Sequence, residues 1–422
     1  MRSTQFRLFW TGEAVSLVGT ATTGVLLPLV AATQLEAGPG AMGLLTAASW
    51  LPWLLLGLPA GALVDQLPPR ATMLVADLVA ALAAASVPFL AAGDALTVPG
   101  LVTVAFVIGC CSVVFRGALP RLITRVVDPD ELGAANSRLF ATESASQIAG
   151  PGLAGGLAAA VTAAGGIVLD AVSFLVSAAC LARLKPRAGA DDGREPFLRR
   201  IRVGLRVVGS DPILRYFPFL ALAANFGLTG LTTLQVLFLV DDVGAGDATI
   251  GVVLAIIGLG GVIGALLGPS IARRVGSARG DMLLQLASCS ILLVPLATGG
   301  AGLGWMVAGL LVSETAIVAS NVIRTTWRQR YVSQELLGRV STINQTIAFA
   351  AMPVSALTAG WLGQQIGVRA AIGVMLSVHV AAVLTMPFSP VGRIRDLPER
   401  PAGSERRQPA PVAVGGGTVG GA

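Results

Sequence analysis

"GALVDQLPPRATM", Gly61 to Met73, separates the apolar run "AASWLPWLLLGLPA" from the apolar run "LVADLVAALAAASVPFLAA". An aspartate, two adjacent prolines and an arginine cannot continue a helix inside lipid, because proline removes a backbone donor and the charges resist burial. They fit a short polar turn where the chain has left the hydrocarbon. The stretch therefore predicts two membrane-spanning helices joined by a tight loop, and the rest of the chain decides whether that pattern is general.

The bulk composition supports it. Hydrophobic residues make up 54% and charged residues 12% of the 422 positions, whereas soluble domains carry roughly a quarter charged residues. Mean hydropathy is +0.77. A spanning helix needs about 20 apolar residues. Twelve runs meet that requirement, near 8–32, 41–63, 72–92, 98–118, 134–161, 166–184, 213–239, 248–271, 282–299, 303–323, 339–362 and 368–389. Hydropathy alone also admits eleven or thirteen. The fold class is an all-α integral membrane protein.

Net charge is +6, which in a soluble protein would point to nucleic acid. With the N-terminus placed inside, the basic residues fall instead at the even-numbered loops and the termini, and of 29 only Arg369 lands on an outside loop. The outside loops hold Glu36, Asp94, Asp241, Asp242 and Asp247. That asymmetry is the positive-inside rule, so both termini are expected on the cytoplasmic side of the plasma membrane. All four cysteines lie within spans, so no structural disulfide is expected. The first apolar run is long enough to span, and no cleavable leader is evident.

Polar composition divides the chain. Residues 1–184 form a first set of six spans, 185–212 a cytoplasmic linker, 213–390 a second set of six, and 391–422 a Pro/Gly/charge-rich tail expected to be disordered. Within the linker, Phe197, Ile201, Leu205 and Val208 recur at helical spacing between arginines, the pattern of an amphipathic helix on an anionic inner leaflet. A solvated tether is the alternative. The two sets also echo one another. An offset of 208 aligns Arg7 with Arg215, Gly19 with Gly227 and Gly43 with Gly251, and an offset of 202 pairs Pro151 with Pro353. This is a parallel repeat of two six-helix bundles.

The chemistry is restricted by what is missing. No phosphate-binding G-x-x-x-x-G-K-[ST] loop occurs, so no nucleotide is expected, and one histidine, His379, cannot build a metal cluster or a triad. No metal, cofactor or nucleic acid is called for. His379 reads mainly as a packed, hydrogen-bonded residue. Ionisable groups inside apolar helices remain, and these usually face a cavity or a partner. Glu13 begins the stripe Glu13, Ser16, Thr20, Thr23 on one face of the first span, and Asn225, Thr229 and Thr232 repeat it in the seventh. Glu143 lies one turn before Gln147, Glu314 two turns before Asn321, and Gln345 marks the eleventh span. Such stripes are expected to line a central wet cavity. A carboxyl in a poorly solvated cavity resists ionisation, so Glu143, Glu314 or Glu13 could load and release a proton. The other reading is a hydrogen bond between helices. Arg116 could pair with one of them, or snorkel to the inner surface.

Five segments carry a family resemblance. Gly61, Leu63, Asp65 and Arg70 of the opening stretch match the signature loop of the major facilitator superfamily, G-x-x-x-D-[RK]-x-G-[RK]-[RK], while Gln66, Pro68 and Pro69 depart from it. "FRLFWTGEAVSLVGT" (6–20) and "FRGALPRLITRVVDPDELGAANS" (115–137) look like the enterobactin-exporter and macrolide-efflux branch, with Pro120, Leu132, Ala135 and Asn136 matching. "GPGLAGG" (150–156) is similar to the span-five motif of drug–proton antiporters, with Ala154 in place of one glycine. "ELLGRVSTI" (335–343) is similar to the matching loop of the second half.

The resemblance implies a monomeric rocker-switch exporter, driven by protons, that moves drug-like or siderophore-like molecules outward across the bilayer. It implies that Asp65 and Arg70, with Gly61 and Asp77 beside them, form a cytoplasmic gate. It also implies that Gly150, Pro151 and Gly155 carry a helix kink and close bundle contact. An importer or lipid transporter of the same fold, or a non-transporting membrane scaffold or sensor, are the other readings.

Overall fold

The computed structural model describes residues 4–64, 67–187 and 197–398. Among them there is no strand, and every span expected from hydropathy is helical. In chain order the helices are α1 (Thr4–Thr33), α2 (Pro39–Val64), α3 (Pro69–Ala92), α4 (Val98–Val126), α5 (Leu132–Ala160), the short α6 (Ala163–Gly166) and α7 (Val168–Arg183). After the linker come α8 (Phe197–Ser210), α9 (Pro212–Leu237), α10 (Asp247–Val275), α11 (Ser277–Ser288), α12 (Leu303–Tyr331), α13 (Gln334–Ala350), α14 (Met352–Ile366) and α15 (Val368–Leu384). The sixth span is α6 with α7, and the eleventh is α13 with α14.

Among the described residues, eleven helical stretches are long and apolar enough to cross a membrane. The twelfth, α5, is 29 residues long, about 43 Å at the α-helical rise. Arg138, Glu143 and Gln147 lower its hydropathy. Asp65 and Gln66 of the opening stretch lie outside the described residues. The rest of that stretch behaves as expected: α2 ends at Val64, Pro68 caps the next helix in extended backbone, and α3 starts at Pro69.

Both ends of the described chain lie on one side of the molecule, here called the terminal face, and the opposite side is the distal face. Near the distal face a single apolar core takes residues from both halves, including Leu26, Met42 and Ile167 with Leu234, Phe238 and Leu376. Near the terminal face the cores are separate, with two main ones and a small cluster of Leu284, Ala316, Ala319 and Ile323 beside the second. Phe6, Phe9, Met73 and Leu122 build one in the first half; Phe217, Trp327, Tyr331 and Met386 build the other in the second. The bundles are thus joined at the distal face and packed independently at the terminal one.

The repeat seen in the sequence is a repeat in space. Gly19 of α1 lies against Ser173 and Asp170 of α7, and Gly227 of α9 lies against Met375 and His379 of α15. In each half, the first helix sets its aligned glycine on the last. The halves differ at their aligned prolines: α5 runs unbroken through Pro151, whereas the eleventh span breaks at Ala351, two residues before Pro353.

Two readings of the linker and tail are sharpened. The amphipathic segment is helical, and α8 packs beside α9 and α13 with Val208 buried in the second bundle's terminal core, while Leu205 stays exposed. The tail does not become free at 391. Val391 and Leu397 bury in that same core, because apolar residues at 391, 394 and 397 give the segment a packing face that its overall composition concealed.

Candidate transport site

The terminal-side halves of α4 and α5 present the first charged pair. Arg116 Nη2 donates to Glu143 Oε1 at 2.5 Å, with the two side chains 42% and 33% exposed. Both come from sequence candidates, and Arg116 takes the pairing option rather than snorkelling. In a half-hydrated setting such a pair is held by a charge-assisted hydrogen bond that protonation of the carboxylate would weaken. Gln147, one turn along α5, is exposed, as are Asn321 of α12 and Gln345 of α13. Polar side chains exposed at membrane depth face hydrocarbon only at a cost.

Glu314 of α12 is half-buried against Gly260 of α10. Among the described residues, no hydrogen bond or ion pair reaches its carboxyl. Asn225 of α9 donates through Nδ2 to the carbonyl of Ala348 at 3.2 Å, and the Ser355 hydroxyl donates to the carbonyl of Phe226. These two bonds hold the break between α13 and α14 against α9; the first satisfies a carbonyl in the last turn of α13, and the second ties the first turn of α14 to α9.

The first-span stripe does not line a wet cavity. Glu13, Ser16 and Thr23 are buried inside the first bundle, and Thr20 Oγ1 donates to Asp170 of α7 at 3.5 Å. The reason is packing: Gly12 and Gly19 let α1 lie directly on α7, whose polar residues then meet the stripe. Glu13 itself lies within charge range of Asp77, Arg116 and Glu143. Asp77 is 3% exposed with Ser177 as its hydrogen-bonding neighbour. Arg70 shares its face of α3 but addresses the end of α7, donating from Nε to the Leu181 carbonyl at 2.8 Å and from Nη2 to that of Ala182.

Sequence reasoning missed three charged residues. Asp170 sits within the sixth span and is 1% exposed. Asp281 is fully buried and accepts from Arg324 Nε at 2.9 and 3.0 Å, and from the Ser320 hydroxyl. Each interrupts or borders an apolar run, which was the available signal. From Ser320 the network continues to Gln285 Nε2 at 3.0 Å, while Ser288 Oγ bonds His379 Nε2 at 3.0 Å. His379 is therefore packed and hydrogen-bonded, as expected.

The bundles meet along two seams of small residues. A Cβ on Gly155 of α5 would fall 2.4 Å from Gly251 Cα in α10, and one on Gly43 of α2 would fall 3.0 Å from Gly360 Cα in α14. Gly150, by contrast, faces Ala21 and Thr22 of α1 within its own bundle. Trp50 and Trp53 of α2 extend the second seam inward, with ring centroids 5.3 and 5.7 Å from Phe349 of α13.

A two-bundle repeat joined by glycine seams and a shared core towards one face is a specific architecture, and a family model of the Major Facilitator Superfamily matches residues 9–356. The chain belongs to the major facilitator superfamily. Within it, the chain is 28% identical to the multidrug efflux pump Tap of Mycolicibacterium fortuitum, over 84% of this chain and 88% of that one. It is 28% identical to the MFS-type transporter y4rN of Sinorhizobium fredii, over 76% of this chain and 80% of that one. To macrolide efflux protein A of Streptococcus pyogenes the identity is 23%, over 86% and 91%. The fold is also that of a bacterial homologue of the iron transporter ferroportin at 17% identity. Its inward-facing state overlays with a TM-score of 0.73, covering 92% of this chain and 98% of that one. Its outward-facing state gives 0.60, covering 91% and 98%.

Proposed function

We propose that this superfamily member exports hydrophobic or amphiphilic small molecules from a bacterial cell in exchange for protons, by alternating access, as a single chain with both termini in the cytoplasm. The observation that carries the reading is the one-sided union of the bundles. A shared core and two glycine seams close the distal face, while separate cores leave the terminal face open around Arg116 and Glu143. The arginine-rich loops lie on the terminal face, which favours placing that face in the cytoplasm. The state described is then inward-facing, in keeping with the better overlay on the inward-facing homologue. Similarity to Tap and to macrolide efflux protein A supports the outward direction and the substrate class.

In this scheme a substrate enters the cleft from the cytoplasm or inner leaflet, and the exposed polar residues of α5, α12 and α13 offer hydrogen bonds among apolar walls. Protonation of Glu143 releases Arg116, and Glu314, with no described partner, supplies a second proton acceptor in the opposite bundle. Either event changes the charge between the bundles and so biases their rocking. Gly155 and Gly43 let the distal seams close and separate without side-chain interlock. Asp65 and Arg70 form the cytoplasmic gate in the same scheme.

The test is efflux of a panel of dyes and antibiotics from cells overexpressing the chain, with and without a protonophore, for wild type, Glu143→Gln, Glu314→Gln and the double variant. Energy-dependent efflux that the protonophore abolishes, and that at least one substitution uncouples, is the expected result. Pumping unchanged in the double variant would remove both glutamates as carriers, and proton-driven uptake would reverse the direction.

A further inference from the structure

Towards the terminal face, α3 and α4 leave between them a groove of about 430 Å³, walled by Ala71, Val75 and Val79 of α3 and by Cys110 and Val114 of α4. Leu67 and Pro68 lie at its terminal end. The groove opens to the outside of the bundle, where Val75, Val79 and Leu82 form an apolar stripe 58%, 41% and 74% exposed. From Ala71 to Val79 it follows α3 for about 12 Å at the helical rise. That is close to the hydrocarbon depth of one leaflet, about 15 Å. Its wall turns no polar group inward: the Thr72 hydroxyl donates to the Pro68 carbonyl at 3.0 Å, and cysteine packs as a small hydrophobe. A pocket for a drug-like molecule sets a few polar groups among apolar walls. This one suits a hydrocarbon tail.

Positive charge stands at the mouth. Arg121 Nη1 donates to the Leu67 carbonyl at 3.2 Å, which brings its guanidinium to the terminal end of the groove. Cys110, Val114, Arg121 and Arg125 share one face of α4, at spacings of 4, 7 and 4. We propose that the groove holds one acyl chain of an anionic phospholipid from the terminal-side leaflet, with its phosphate on Arg121 and Arg125. The guanidinium fork matches phosphate geometry, and arginines near a membrane surface attract anionic lipid. The bound lipid ties the turn at Leu67 and Pro68 to α4. Pro68, which departs from the signature loop of the superfamily, thereby acquires a role as a wall of the site. The site requires only that the chain spans a bilayer, and it does not rest on the export reading.

The test uses the purified full chain in phosphatidylcholine nanodiscs doped with phosphatidylglycerol that carries a photoactivatable diazirine on one acyl chain. Phosphatidylcholine with the same diazirine is the comparison, and labelled peptides are mapped by mass spectrometry after illumination. The phosphatidylglycerol probe should label the groove segments of α3 and α4 about fivefold more than the phosphatidylcholine probe. Arg121→Gln combined with Arg125→Gln should abolish that preference. Cys110→Phe, which sets a ring in the groove, should cut labelling there severalfold while labelling at the exposed Phe89 and Leu266 stays unchanged. If Cys110→Phe does not accumulate folded, Ala71→Leu fills the groove from the other wall. Labelling no denser in the groove than at Phe89 or Leu266, equal yields from the two probes, or a preference that survives loss of both arginines would each overturn the proposal. So would displacement of the label by a dye that the chain pumps, which would assign the groove to substrate.

Discussion

Gly155 of α5 and Gly251 of α10 meet backbone to backbone: a Cβ on Gly251 would lie 2.3 Å from Gly155 Cα, closer than any side chain tolerates. The contact joins the two bundles, and its partner Gly43–Gly360 joins them across the other seam. Small residues at helix crossings allow close van der Waals approach in a membrane, where no hydrophobic effect draws helices together. The distal closure therefore depends on the absence of a few side-chain atoms.

Gly155→Leu should wedge that seam. A penalty of only about 1.4 kcal/mol against the closed face shifts its population tenfold, so transport should fall by at least that order while the chain still inserts. The check is labelling by a membrane-impermeant thiol reagent of a cysteine at Ala158, buried in the shared core, in a background lacking the four native cysteines. Faster labelling in Gly155→Leu is expected. Unaltered labelling and transport would show that the seam does not limit opening.

The pair Arg116–Glu143 should behave as a functional contact with little structural weight. Its side chains are 42% and 33% exposed, and exposed ion pairs contribute about 0–1 kcal/mol to stability. Glu143→Gln and Arg116→Gln are expected to leave thermal unfolding of the purified protein nearly unchanged while lowering proton-dependent efflux by about tenfold or more. A large fall in unfolding midpoint with normal residual transport would reverse that assignment.

Much of this organisation is legible in the sequence. Span number, bundle division and the paired glycines follow from apolar run length, arginine placement and the internal offset, because lipid forces each of those features onto the chain. The direction in which a polar face points is not fixed that way. The Glu13–Thr23 stripe has the period of a cavity lining, yet Gly12 and Gly19 turn it towards α7. The pairing of Asp281 with Arg324, 43 residues apart, depends on how α11 crosses α12, which no local pattern encodes. Arg369, the exception to the charge rule, is likewise explained only in space. It caps the carbonyls of Pro295 and Ala297 at 2.6 and 2.7 Å and stacks over Phe238.

Asp281–Arg324 should show the opposite balance to Arg116–Glu143. The side chains are 0% and 11% exposed, and removing one member of a buried pair costs about 3–5 kcal/mol because the other charge is stranded. Asp281→Ala should therefore lower the unfolding midpoint sharply, and Arg324→Ala should do the same. A double substitution to apolar residues of similar volume should recover much of the loss. If the double variant is as unstable as either single one, the pair contributes through its network with Ser320 and Gln285 rather than through mutual neutralisation.

The segment after the last helix should act as a structural strap on the second bundle. The carbonyl of Arg395 accepts from the backbone of Ala278 and Arg279 at 3.1 and 3.2 Å, Asp396 Oδ1 caps the N–H of Ser277 at 2.8 Å, and Trp327 Nε1 donates to the Pro398 carbonyl at 2.9 Å. Gly276 makes room for it with φ +103°, since a Cβ there would strike the Arg395 carbonyl. By the 208-residue offset, Gly276 and Ser277 stand where Pro68 and Pro69 stand in the first half. One half thus stiffens its inter-helix turn with prolines, and the other clasps it with the chain's own continuation. Leu397, 4% exposed, should cost about 2–5 kcal/mol when replaced by alanine, and Gly276→Val should add backbone strain and displace the strap. Both are read by thermal unfolding of the purified protein and by proteolysis after Arg393 or Arg395. Protection at those arginines equal to wild type in Gly276→Val would show that the strap holds without the turn it covers.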